Sequence, residues 1–169
     1  KSIKASIEEN IENNKINLKF TIDETEKLYV ERINILGNNV TKENVIRNRL
    51  EIDEGDPFNE ILFNKSINNI KSLNFFRKVD SEILVGGEDN SRIININVEE
   101  KPTGEITAGA GFGTGGSTIL FGVKENNFLG KGIGLNTNFS LSTETFRGDF
   151  LITNPNYKNS NKSIFLQAQ

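Results

Sequence analysis

The chain has 169 residues with no Cys, His, Met or Trp, and its 20 basic and 23 acidic side chains leave a net charge of −3. That composition removes disulfides, thiol chemistry and the usual ligands of zinc, copper and haem, and the mild acidity argues against a nucleic-acid partner. No apolar run approaches the roughly 18 residues of a membrane-spanning helix, and the lack of Met predicts that the natural start, with any signal peptide, lies upstream.

Charge and glycine are unevenly spread. Residues 1–101 hold 15 basic and 19 acidic side chains and 4 glycines, whereas residues 102–169 hold 5, 4 and 11. A domain boundary is therefore expected at Lys101-Pro102. Residues 1–26 contain two alternating stretches, Ser2 to Glu8 and Lys15 to Asp23, joined by a polar segment from Glu9 to Asn14, and they read as a hairpin. Two strands alone are marginal in water, so the hairpin is expected to be the end of a preceding domain.

Residues 27–101 read as one α+β unit. A strand from Leu28 to Leu36 ends at Gly37-Asn38-Asn39, a turn signal. Thr41 stands where an N-cap belongs, with Glu43 in the first turn and Val45, Ile46 and Leu50 on one side, which predicts a short helix over about 42–50. After the acidic loop Glu51 to Asp56 and Pro57, Leu62, Phe63, Ile67, Ile70 and Leu73 recur at helical spacing and predict a second helix from about Asn59. Two strands, Phe75 to Leu84 and Arg92 to Glu100, close the unit, giving the order β-α-α-β-β with two helices over one face of a three-stranded sheet.

Beyond Pro102 five strands are expected, at about 104–113, 117–126, 132–143, 146–154 and 163–169. In Ile133 to Ser142 one face reads Ile, Leu, Thr, Phe, Leu and the other Gly, Asn, Asn, Ser, Ser. The second face is polar but uncharged, the pattern of antiparallel transmembrane β-barrel strands with lipid outside and a wet lumen inside. Phe128, Phe146 and Tyr157 fall at strand ends, where aromatic girdles belong. With no stop at Gln169, the barrel is expected to continue past it.

Taken in order, these residues resemble the BamA family of outer-membrane assembly factors. The marks are Gly37-Asn38, Thr41, Gly55-Asp56-Pro57-Phe58-Asn59, Leu73-Asn74-Phe75-Phe76 and Val98-Glu99-Glu100, then Gly109-Ala110-Gly111-Phe112-Gly113, Asn126 to Gly132 and Thr153-Asn154-Pro155. The resemblance implies a last polypeptide-transport-associated (POTRA) domain at 27–101, the tail of a preceding one at 1–26, and the first five strands of an outer-membrane barrel at 102–169. It further implies an outer-membrane location with the POTRA part in the periplasm. The partners implied are outer-membrane lipid, unfolded outer-membrane protein clients and the accessory lipoproteins of an assembly complex. A secretion pore of the two-partner type shares this architecture and is the alternative; an outer-membrane structural or adhesive protein is a third reading, which would lack a strand-accepting POTRA sheet.

Three candidate sites follow. Gly109, Gly111 and Gly113 alternate with Ile106, Ala108, Ala110 and Phe112 on the first barrel strand. Glycine weakens strand packing, so this strand is the expected seam, able to open and pair with an incoming client strand. The bland reading is relief of crowding at a curved wall. Phe75, Phe76, Arg77, Lys78 and Val79 begin a strand that, at a sheet edge, could accept a client strand, although Arg77, Lys78 and Asp80 equally suit charges that protect an edge. The acidic loop, with Asp53 and Glu54, reads as a solvated turn or a partner surface, Glu54 being an ion-pair candidate with Arg47 on the first helix, and the resemblance implies that this end meets an accessory lipoprotein; the spacing lacks the pattern of a calcium loop. Gly111 to Gly116 formally matches the dinucleotide pattern, but a strand and not a helix follows it. Paired carboxylates and a Ser nucleophile with a base are not evident, so no enzyme activity and no cofactor are expected. Residues 103–169 expressed alone should aggregate in water, because an open sheet exposes two edges and an apolar side; light scattering after refolding checks this.

Overall fold

The computed structural model describes residues 2–12, 15–114, 116–160 and 162–169. Lys1, Asn13 and Asn14 of the predicted hairpin connector, Gly115 of the glycine-rich motif and Asn161 of the last long turn lie outside them.

The first hairpin pairs β1 (Ser2–Glu12) with β2 (Lys15–Thr25) in antiparallel register. Glu9 to Glu12, expected as a polar connector, belong to β1, because Asn10 and Ile11 lie opposite Asn17 and Ile16 and carry the ladder onward. Ala5, Ile7 and Ile11 meet Ile22, Phe20 and Ile16 on one face. That apolar face is exposed in this chain.

The α+β unit has the predicted order, with β3 (Tyr29–Leu36), α1 (Glu43–Arg47), α2 (Glu60–Ser72), β4 (Phe76–Val85) and β5 (Ser91–Glu100). β5 is central, parallel to β3 and antiparallel to β4, so β3 and β4 are both edges. Alternation puts Ile94, Ile96 and Val98 on the inner face of β5, where they pack with Val30, Ile33 and Val79 beneath Ile46, Phe63, Ile67 and Ile70 of the helices. α2 starts where the pattern places it, because the Asn59 side chain accepts from the amides of Ile61 and Leu62 at 2.9 and 3.2 Å. α1 is shorter than expected. Arg49 and Leu50 donate to the carbonyls of Ile46 and Arg47, three residues back, which tightens the chain into a turn after Arg47.

The second half is a five-stranded antiparallel sheet in sequential order, β6 (Gly104–Gly113), β7 (Gly116–Phe128), β8 (Ile133–Ser142), β9 (Phe146–Asn154) and β10 (Ile164–Ala168), with β6 and β10 at its edges. The register assembles one side from Ile106, Ala110 and Phe112, Ile119 and Phe121, Phe139 and Leu141, Phe146 and Phe150, and Ile164 and Leu166. The other side carries Thr107, Lys124, Asn136, Asn138, Ser140, Arg147 and Asp149, with the β6 glycines. Among the described residues nothing packs over the apolar side: Ile106 is 72% exposed and Phe112 89%.

The compact core belongs to the α+β unit. Ile94→Ala should destabilise residues 27–101 by about 2–5 kcal/mol, since Ile94 is fully buried and its loss leaves a cavity. Urea unfolding followed by circular dichroism measures it.

Candidate functional site

The two halves meet at a polar joint built from three short stretches. The loop after β3, residues 38–42, lies against the end of β5 and against the turn between β7 and β8. The expected N-cap role of Thr41 is corrected: Lys42 occupies the cap position with no side-chain bond, and α1 begins at Glu43. Thr41 is instead buried, and its hydroxyl accepts from Asn127 Nδ2 at 2.9 Å. Asn127, also buried, accepts the Gly132 amide on its Oδ1 at 2.7 Å, so a single side chain closes the β7–β8 turn and ties it to the loop. A register shift between Glu125 and Phe128 frees Asn127 from the β7–β8 ladder to do this.

Glu100 holds the other side of the loop. Its carboxylate accepts the amides of Asn39, Val40 and Thr41 at 3.0, 2.9 and 2.6 Å. Burial pushes its carboxyl upward, but the Thr41 hydroxyl and these three amides outweigh burial and hold it below the ordinary glutamate value. Next to it Glu125 accepts from the Thr103 hydroxyl and from the Asn127 amide, and Asn126 Nδ2 donates to the Thr103 carbonyl at 3.0 Å. The turn comes close enough for Lys42 N to donate to the Gly130 carbonyl at 2.8 Å. Gly130, at φ 69°, has no room for a Cβ, which would collide with the Val40 carbonyl oxygen.

The three candidate sites stand at separate places. β4 is an edge strand, starting at Phe76 and not at Phe75. Phe75, Phe76 and Val79 turn into the core, while Arg77 and Lys78 face solvent, paired with Glu99 at 3.0 Å and Asp80 at 2.5 Å. In the acidic loop, Glu54 accepts the Ile33 amide at 3.0 Å and lies 3.5 Å from the Arg47 guanidinium. Arg47 also pairs with Glu43 at 2.6 Å and donates to the Ile33 carbonyl at 2.8 Å, so both side chains brace α1 against β3, while Asp53 is exposed. Glu51 pairs with Lys65 at 3.0 Å. Among the described residues no three acidic groups are placed to share a metal ion.

β6 is the edge of its sheet. A Cβ at Gly111 or Gly113 would meet nothing within 4 Å, and one at Gly109 would only touch Leu120 Cβ at 4.0 Å. Contacts within this sheet therefore do not require those glycines. Gly122 and Gly148 differ, being pressed by Asn138 and by the Phe139 ring.

Thr41, Glu100, Asn127 and Glu125 were not picked as a site from the sequence. The signal available was the run Asn126 to Gly132, noted only as a family mark, whose polar residues and two glycines fit a tight turn that must approach another backbone.

The structure thus combines an α+β unit whose sheet has two open edges with an antiparallel sheet that has one bare apolar side. Residues 28–101 match the POTRA family model, described as surface antigen variable number repeat. The outer membrane protein assembly factor BamA of Nitratidesulfovibrio vulgaris is 27% identical over 168 residues, 96% of this chain and 21% of that protein. The fold is also that of the crystal structure of BamA from Haemophilus ducreyi lacking POTRA domains 1–3, with a TM-score of 0.79 at 24% identity, over 98% of this chain and 33% of that one. CdiB from Escherichia coli shares the fold more loosely, with a TM-score of 0.53 at 13% identity over 89% of this chain and 28% of that one. Residues 28–101 thus match the POTRA family, and nearly the whole chain is similar in sequence to BamA. It spans about a fifth of the length of the BamA relative it matches.

Glu100→Gln keeps the shape but loses the charge, and should cost residues 27–101 about 1–2 kcal/mol at neutral pH. Because the folded carboxyl titrates below its unfolded value, its contribution is complete above about pH 4.3 and lost as the pH falls through the lower folded value. The wild type should therefore lose stability on acidification more steeply than the variant, as thermal unfolding from pH 7 to pH 3 would register.

Proposed function

We propose that this chain is part of an outer-membrane β-barrel assembly factor, acting as an insertase without cofactor or enzymatic chemistry. On this reading residues 27–101 are the last POTRA domain, in the periplasm, residues 1–26 are the closing hairpin of a preceding one, and residues 102–169 are the first five strands of a membrane barrel. The observation that carries the reading is the bare apolar side running across all five strands from Ile106 to Leu166, joined through a buried hydrogen bond to a POTRA sheet with a free edge. Such a side is stable against lipid and not against water.

The POTRA edge β4 would hold an unfolded client through main-chain pairing, with Arg77 and Lys78 limiting uncontrolled pairing. The seam is β6. Within this sheet a Cβ at Gly111 or Gly113 would meet nothing within 4 Å, so crowding by the neighbouring strand β7 does not call for those glycines. An opened β6 would offer unpaired N–H and C=O groups to the incoming strand. The acidic loop around Asp53 and Glu54 would meet an accessory lipoprotein, Arg47 holding Glu54 in place. The two-partner secretion pore remains the second reading, since CdiB shares the fold; it differs in passing a chain through the lumen instead of releasing one sideways.

The test is to reconstitute the full-length parent in liposomes and time the folding of an unrelated urea-denatured outer-membrane barrel by its heat-modifiable gel mobility. Folding faster than in empty liposomes supports the insertase. No acceleration together with ion conductance supports the pore. Gly111→Ala and Gly113→Ala should stiffen the seam by about 0.5–1 kcal/mol each and slow client folding about two- to fivefold each; unchanged client folding would leave the seam without a role.

A further inference from the structure

Beside the joint lies a cleft of about 550 Å³, open between the helices of the POTRA domain and the ends of β7, β8 and β9. Four cations line it: Lys42 and Arg49 from the α1 region, Lys131 from the β7–β8 turn and Lys158 from the turn after β9. No acidic side chain lines it, and among the described residues none of the four forms an ion pair. Elsewhere in the domain Arg47, Lys65, Arg77 and Lys78 have carboxylate partners, whereas Arg32, Lys71, Arg92 and Lys101, like the cleft cations, form no ion pair among the described residues, so what sets the four apart is their convergence on one cleft. The Arg49 Nε is moreover shut off from solvent with no acceptor in reach. That nitrogen is closed to a ligand in the cleft as it is to solvent, so what the half-buried Arg49 offers there is its charge and the rest of its guanidinium.

We infer that this cleft is a binding site for a phosphate-bearing group, taken between the Arg49 guanidinium and the ammonium groups of Lys42, Lys131 and Lys158. Arginine offers a planar fork of donors to phosphate oxygens, and the lysines add charge that can adjust to the ligand's position. Sequence distance supports a site assembled by the fold, since residues 42 and 49 meet 131 and 158 only across the joint. The source favoured is the headgroup of an anionic phospholipid. That source rests on the barrel reading, which places the strand ends at headgroup level; the phosphate chemistry does not depend on it.

The experiment uses the full-length parent in an uncharged detergent, titrated by calorimetry with dihexanoyl phosphatidylglycerol, with dihexanoyl phosphatidylcholine and with inorganic phosphate. Saturable phosphatidylglycerol binding, stronger than phosphatidylcholine binding and weakened about fivefold by each of Lys131→Gln and Lys158→Gln, supports the site and assigns it to lipid. Inorganic phosphate binding of equal strength and equal sensitivity to the two substitutions supports the site and assigns it to free phosphate. Both lysines are exposed, so thermal unfolding should be unchanged, and Lys162→Gln, outside the cleft, should bind as the wild type does. Absence of saturable binding, or binding that the two substitutions leave unaltered, overturns the inference. Client folding in liposomes is read independently, so failure of the lipid site and failure of the insertase are distinguishable.

Discussion

One buried hydrogen bond, from the Asn127 amide to the Thr41 hydroxyl, joins two sheets with opposite solvent requirements. The POTRA sheet hides its apolar face under two helices and meets water elsewhere. The second sheet leaves its apolar face bare and gathers polar residues on the other. Nothing apolar can serve as a broad interface between them without competing with one or the other, so the joint is small and polar. Its polar groups are satisfied: Thr41 by Asn127 and Glu100, Asn127 by Thr41 and Gly132, Glu100 by three consecutive amides. Breaking the Asn127–Thr41 bond would strand two buried groups, which makes that contact resist rearrangement, while the Asn39 and Val40 amides lie at the surface.

That rigidity gives a meaning to where the free edges lie. β4 and β6 belong to different sheets, and each is one of the two edges of its sheet. Their chain connection is only the short segment from Lys101 to Thr103, which alone would leave the two edges free to swing. The loop at 38–42 and the turn at 126–132 restrict that freedom by adding a second attachment. The glycine at 130 is part of the same economy of space, since any side chain there would push the turn off the loop.

Much of this was legible in the sequence, and the reasons are local. α2 could be placed because Asn59, an apolar stripe and a break after Leu73 act within one helix. The strands of the second half could be placed because a period of two survives in each of them. Thr41 was misread for the same reason that α2 was read well: before a helix a threonine has the look of a cap, and the partner that claims its hydroxyl is 86 residues away. Glu54 and Arg47 were legible as neighbours, but their engagement with the backbone of Ile33 depends on how α1 packs on β3. The parallel pairing of β3 with β5 was likewise outside the reach of pattern, since it requires knowing which strand takes the centre.

The span of that hydrogen bond also orders events in time. The core around Ile94 is complete within residues 30–98 and needs nothing from the second half, whereas Asn127 reaches Thr41 only after β7 and β8 have paired and turned. Contacts so distant along the chain close late. The α+β unit is then a finished body while the sheet beside it is still being laid down strand by strand, and the latch between them closes only once the β7–β8 hairpin has formed.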